Sequence, residues 1–329
     1  MYVDGFQDIC GDSARESAVL QDAQAFGIDA LTLYDFPKLQ ARSGALSDTT
    51  SRSNRCLAEF VRRSRRSGIR EIGAAFESVE ALHGLLAAYQ HSRPDSASRL
   101  DAFVLEFEWW SPTLVGPGGI YCKDYFLPLG VACNESAAWS WASRLMVALD
   151  SVATRSGTRR VVYASRFDLE QARWIVSHSD RVLLSNYIDD PEDGKAYDHA
   201  KSRMSVLAQA GGVGELVILW SAEGTGDAVY LPYLGDWLFG RPPWTRQHGL
   251  GEAEDLFEDQ WLSADPTSPL RARLVGHQWF SWSHISRNAP LSVTRRIVLP
   301  GIERFHDPLG RRSSRGCINN GPLQILRCR

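Results

Sequence analysis

The sequence predicts an α/β fold: a (β/α)8 TIM barrel with long loops after the fourth and seventh strands. Three observations predict it. Eight short apolar runs alternate with amphipathic segments across residues 1–290, the order of a parallel sheet with helical crossovers. Four of those segments stop at a glycine just before the next run, as a short αβ turn requires. The acids within the runs fall on one alternating face and near the C-terminal ends, where barrel enzymes keep their chemistry. A doubly wound sheet is the rival, but no G-x-G-x-x-G follows the first run, and no Walker A sequence is present.

In chain order, "MYVDGF" (1–6) is the first strand. "SARESAVLQDAQAFG" (13–27) is a helix opened by a capping box from Ser13 to Glu16 and stopped at Gly27. "DALTLYDF" (29–36) is the second strand, and "SNRCLAEFVRRSRRSG" (53–68) a helix ending at Gly68. In the third strand, "REIGAAFE" (70–77), Ile72 and Phe76 face the helices while Gly73, Ala75 and Glu77 face the lumen. In the fourth, "DAFVLEFEWW" (101–110), Phe103, Leu105 and Phe107 face outward; Ala102, Val104, Glu106 and Glu108 face inward. A helix over 136–157 keeps the helical period through Trp139, Ala142, Leu145, Met146 and Leu149, and stops at Gly157. "RRVVYASRF" (159–167) and "RVLLSNYI" (181–188) are strands five and six, and a helix over 197–211 stops at Gly211. In the seventh strand, "ELVILWSAE" (215–223), Leu216, Ile218 and Trp220 face out, Ser221 and Glu223 in. "LVGHQWFSW" (274–282) is the eighth; His277 within it reads as a core histidine rather than a base.

Two insertions belong on the catalytic face: residues 109–135, and residues 224–270 with Tyr230, Tyr233, Trp237, Trp244 and Trp261. Aromatic loops there suggest a ligand groove, with about half of the rings packing a small satellite core instead. The barrel is expected over 1–290, with 291–329 an extension that lacks periodicity. A net charge of −3 gives no electrostatic case for nucleic acid or an anionic membrane, and no apolar run is long enough to span a bilayer. The chain enters a strand at Met1, so the expectation is cytoplasmic if Met1 is the native start and secreted if a leader was removed. None of the six cysteines forms a C-x-x-C pair, so a zinc site is not expected. Free thiols are the expectation, with a Cys122–Cys133 bridge as the alternative.

The chemistry concentrates in "DAFVLEFEWW". Residues two apart on a strand lie about 6.6 Å apart and point the same way, so Glu106 and Glu108 share one low-dielectric space. Like charges that close split their pKa values, leaving one carboxyl as a proton donor near neutrality and the other ionised. Such a pair suits acid-assisted cleavage of a glycosidic bond. The alternative for Glu106 is a buried structural acid bonded to Arg166 or Tyr187. Asp4, Tyr34, Glu77, Ser165, Arg166, Asn186 and Glu223 all fall near strand C-termini.

On these residues the chain resembles family 18 glycoside hydrolases, barrels with a D-G-x-D-x-D-x-E signature on the fourth strand. "DAFVLEFE" follows that frame, with Asp101 as its first acid, Glu106 in place of its last aspartate and Glu108 as its final glutamate. Ala102 and Val104 depart from it. "SNYI" keeps the tyrosine of the family's M-x-Y-D as Tyr187, with Asp189 one residue late. The resemblance implies a carbohydrate substrate and no metal or organic cofactor. Glu108 would be the general acid, with Glu106 and Tyr187 steadying the reacting centre. Trp110 and Trp282, or Trp279, would be stacking platforms. Two alternatives stand beside it: a retaining glycosidase using Glu108 as acid/base and Glu223 as nucleophile, and a lectin-like, non-catalytic barrel. A barrel enzyme acting on some other small polar substrate is the third. The sugar, its linkage and the oligomeric state are left open.

Overall fold

The computed structural model describes residues 1–192, 194–223 and 244–288. Eight parallel strands form one sheet in sequence order: β1 (Tyr2–Val3), β2 (Ala30–Leu33), β3 (Glu71–Phe76), β4 (Ala102–Leu105), β5 (Arg159–Ala164), β6 (Arg181–Ser185), β7 (Glu215–Ser221) and β8 (Leu274–Phe280). The ladder runs unbroken from β1 to β8. The barrel then closes through side chains: Tyr2 packs edge-on against Phe280 at 5.3 Å, and Gln278 Nε2 donates to Thr32 Oγ1 at 2.7 Å. The β7–β8 register shifts by one residue at Leu216/Val217, beside Gly276, whose φ of 151° is open only to glycine.

Helices cover the outside. The principal ones are α1 (Ser13–Ala25), α2 (Arg52–Arg66), α3 (Glu135–Ser156), α4 (Leu169–Ser177), α5 (Lys195–Gln209), α6 (Leu250–Ala264) and α7 (Trp282–Asn288). The expected glycines stop four of them; Gly157, at φ 65°, lets the chain reverse out of α3 straight into β5. The expected capping box on α1 is corrected. Asp12 is the N-cap and accepts from the amides of Ala14 and Arg15, whereas Glu16 reaches back to the amide of Gly11 at 2.8 Å. An acid placed before Ser13 does the serine's job.

Strand parity sorts the interior into two cores. Phe103, Leu105 and Phe107, with Ile72, Phe76, Leu216, Ile218 and Trp220, belong to the outer core between strands and helices. The three fully buried β4-segment residues stabilise that layer by about 1.5–3 kcal/mol each. Ala75, Ala102, Val104, Val161, Leu183, Val217 and Leu219 fill the lumen together with Tyr2 and Tyr163. Below them, at the N-terminal end, Arg181 bridges Glu215 (2.7 Å) and Glu71, and Arg159 also pairs with Glu71.

The expectation of free thiols is overturned for four of the six cysteines; Cys317 and Cys328 lie outside the described residues. Cys122 and Cys133 are bridged, and so are Cys10 and Cys56, with Cα–Cα separations of 5.2 and 5.5 Å. Cys10 follows a one-turn helix and Cys56 lies on α2, 46 residues away, a contact only the tertiary fold creates. Among the described residues, no helix is long and apolar enough to cross a membrane.

Candidate active site

The C-terminal mouth of the barrel gathers carboxylates from three strands. Glu77 follows β3, Glu106 and Glu108 follow β4, and Glu223 follows β7. Each is partly buried, and each lies within electrostatic reach of the others around Glu106. The strands put them there because the alternating pleat carries the β3 and β4 acids inward just past the last ladder residues, Phe76 and Leu105.

Their environments differ. Glu77 is anchored by three phenols: Tyr34 donates to Oε1 at 2.6 Å, Tyr125 to Oε2 at 3.1 Å, and Tyr121 to Oε1 at 3.3 Å. Burial raises its pKa above the ordinary carboxylate value, and the three hydroxyls oppose that rise. Glu106 is the deepest. Burial first, then the charges of Glu77 and Glu108, push it well above the usual carboxylate range. The Tyr2 hydroxyl lies against Glu106 and opposes that rise by favouring the ionised carboxyl. Glu108 is held intermediate. Burial and the charges of Glu77 and Glu223 raise it to about 7, and the Tyr163 hydroxyl opposes them by favouring the anion. Tyr187 lies behind, its ring 6.4 Å from that of Tyr163 and its hydroxyl in electrostatic contact with both β4 acids.

Other expected site residues are placed elsewhere. Trp279 faces outward, stacks on Trp220 at 5.8 Å and donates to Glu254 Oε1, because β8 parity turns it to the helices. Trp282 begins α7 and donates to Asp22 Oδ2 on α1 at 2.9 Å. Neither is a lumen platform. Asn186 is fully buried and structural, donating to the carbonyl of Ala196 and facing His199. Asp189 is exposed on the loop beyond β6. Trp110 packs edge-on against Tyr163 at 5.3 Å and, with exposed Arg166, lines a side cavity of about 500 Å³ that also includes Trp109, Trp139 and Asp168. Asp4 caps the start of α7 through the amide of Ser283. His277 is a satisfied core residue, accepting from Trp220 Nε1 at 3.1 Å and facing Glu258 at 3.3 Å. Trp244 and Trp261 are buried, Trp261 stacked on Tyr197. Tyr230, Tyr233 and Trp237, and the 291–329 extension, lie outside the described residues.

Sequence reasoning missed Tyr2, Tyr163, Tyr121 and Tyr125. Parity marks the first two: Tyr163 alternates with Val161 exactly as the inward set of β4 does, and Tyr2 shares a face with Asp4. Tyr121 and Tyr125 are four apart on a helical turn, which puts both on one face toward Glu77. Among the described residues, no group of three or more His, Cys, Asp or Glu is arranged to hold a metal ion.

The family 18 resemblance does not hold. Asp101 sits at the opposite end of β4, accepting from Arg65 and from the amide of Ile72, and Val104 is packed in the lumen. No family model and no curated protein matches the sequence. Tryptophan synthase chains are among the similar solved structures. The tryptophan synthase α2β2 complex from Pyrococcus furiosus is 11% identical, with 83% of each chain covered and a TM-score of 0.40. A mutant tryptophan synthase alpha-subunit from the same organism is 12% identical over 84% of this chain and 86% of that one, at a TM-score of 0.40. A structure from Aquifex aeolicus VF5 is 10% identical over 64% and 71%, at 0.37. No comparison supports the glycosidase or the lectin expectation, and both are withdrawn. At such identities the likeness extends to the fold alone.

Proposed function

We propose that the chain is an enzyme that moves protons to and from a small polar substrate at the barrel mouth, with Glu108 as general acid–base. One observation carries this reading: Glu108 is set among three other carboxylates with its pKa near neutrality, where a group serves equally as donor and acceptor. Glu77, held by three tyrosine hydroxyls, is the leading charge acting on both Glu106 and Glu108. Glu106 keeps its proton and offers a hydrogen-bond donor beside the reacting group. Tyr163 stabilises Glu108 once its proton has left.

The test begins with thermal-shift screening of a library of small metabolites, followed by NMR detection of conversion of each stabilising compound. Turnover should follow a pH profile with an inflection near 7 and fall by at least about 10²-fold in Glu108→Gln, while binding persists. Conversion that survives the substitution, or binding with no conversion of any hit by the native protein, overturns the proposal.

A further inference from the structure

The side cavity of about 500 Å³ lies between the segments that follow β4 and β5. Two helices begin at its wall: Glu135 opens α3, Asp168 is the N-cap of α4, and Gln171 stands in the first turn of α4. Helix N-termini favour anions, but Glu135 and Asp168 already answer these two, so the termini alone say little. The unpaired groups of the cavity say more, because all of them are donors. Arg166 makes no hydrogen bond and no ion pair, although Asp168 and Glu135 share the cavity with it. Trp109 is 1% exposed, and its buried Nε1–H has no partner. Gln171 turns its Oε1 to the amide of Asp168 at 3.1 Å to complete the capping box, which leaves its Nε2 hydrogens unused. A buried donor left unpaired is costly, and a ligand that accepts from it removes the penalty.

The surrounding field has the matching sign. Arg203 on α5, fixed by the carbonyl of Ser185 at 2.6 Å, lies within electrostatic reach of Arg166. The charged groups acting on Arg203 are Arg166 and Tyr163, and those acting on His199 are Arg203 and Arg166; no carboxylate is among them.

We propose that this cavity binds an organic anion: a carboxylate or phosphate taken by Arg166 and Gln171 Nε2, with the Trp109 indole N–H as a further donor, and a flat apolar body lying on the partly exposed rings of Trp110 and Trp139. The guanidinium fork matches either oxyanion through paired, charge-assisted hydrogen bonds. Trp109 holds the platform in place, with Trp110 edge-on to it at 4.5 Å and Trp139 tilted against it at 5.2 Å. A cation turning to Glu135 or Asp168 would leave Arg166 and the buried indole N–H unmet, and Asp168 Oδ1 already accepts from the Gln171 amide at 2.8 Å. The site adjoins the acid–base centre through Trp110, which packs on Tyr163, and it stands whether or not Glu108 performs chemistry.

Calorimetry of the full chain at pH 7 and low ionic strength, with benzoate, phenyl phosphate, acetate, benzyl alcohol and benzylammonium, tests this. Benzoate or phenyl phosphate should bind at millimolar concentration or below, and the tighter of the two identifies the oxyanion. Benzyl alcohol, benzylammonium and acetate should each bind at least about tenfold more weakly than that anion. Added salt should weaken the anion and spare the alcohol. Arg166→Gln, at an exposed position that carries no packing, should weaken the anion at least about tenfold and leave benzyl alcohol unchanged, while Arg166→Lys, which keeps the charge but not the fork, should lose less. Trp139→Ala should weaken the aromatic anion and not acetate. The inference is overturned by no binding of either aromatic anion at millimolar concentration, by benzylammonium, benzyl alcohol or acetate binding as tightly, or by anion binding that Arg166→Gln leaves unchanged.

Discussion

Glu108→Gln should make the protein more stable, and by an amount that depends on pH. Burial and neighbouring charge lift the Glu108 pKa from the ordinary 4.5 to about 7. The folded protein therefore holds a proton that the unfolded chain gives up between those values. Stability falls as pH rises through that window, and the loss is complete above about 7. At pH 8 the shift amounts to about 3 kcal/mol, at pH 5.5 to about 1 kcal/mol, and below 4.5 to nothing. Glutamine has no proton to lose, keeps an oxygen for Tyr163, and relieves the repulsion on Glu106. Urea titrations of both proteins at pH 4.5, 5.5 and 8, followed by tryptophan fluorescence and far-ultraviolet circular dichroism, measure the difference. The variant should gain midpoint steadily across the series. A variant less stable than the native protein at pH 8, or a difference that does not change with pH, would refute the assignment of a strained carboxyl at this position.

Two further outcomes follow from other parts of the molecule. Cys122→Ala/Cys133→Ala opens a loop of 11 residues and should cost about 3 kcal/mol locally; hydrogen exchange should rise around Tyr121 and Tyr125 and leave the strands protected. Arg181→Met leaves Glu71 and Glu215 to share Arg159 alone on the barrel floor. The cost should be about 2 kcal/mol, below the ~3–5 of a fully buried pair because both acids retain some water, and adding Glu215→Gln should recover part of it in a urea midpoint.

The fold was legible because barrel strands are written in a two-residue code. Phe103, Leu105 and Phe107 against Ala102, Val104, Glu106 and Glu108 separates outer core from lumen without any coordinates. The same code placed Glu77 and Glu223 correctly at the mouth. It was not carried through on β8, where it turns Trp279 outward, or on β5, where it turns Tyr163 inward. Local sequence cannot show long-range partners: Asn186 is claimed by Ala196, Trp282 by Asp22, and Cys10 by Cys56. The motif frame on β4 misled because it matched the two end residues, Asp101 and Glu108, while Val104, an aliphatic packed in the lumen, stands where the frame has its middle aspartate.

The ionic ring of Glu71, Arg159, Arg181 and Glu215, with the aliphatic layer of Val104, Val161, Leu183 and Val217 above it, makes the lumen a well with a floor. Hydrogen ions therefore reach Glu106 from the mouth and not through the base, so isotope arriving from solvent labels the inner acid from that side alone.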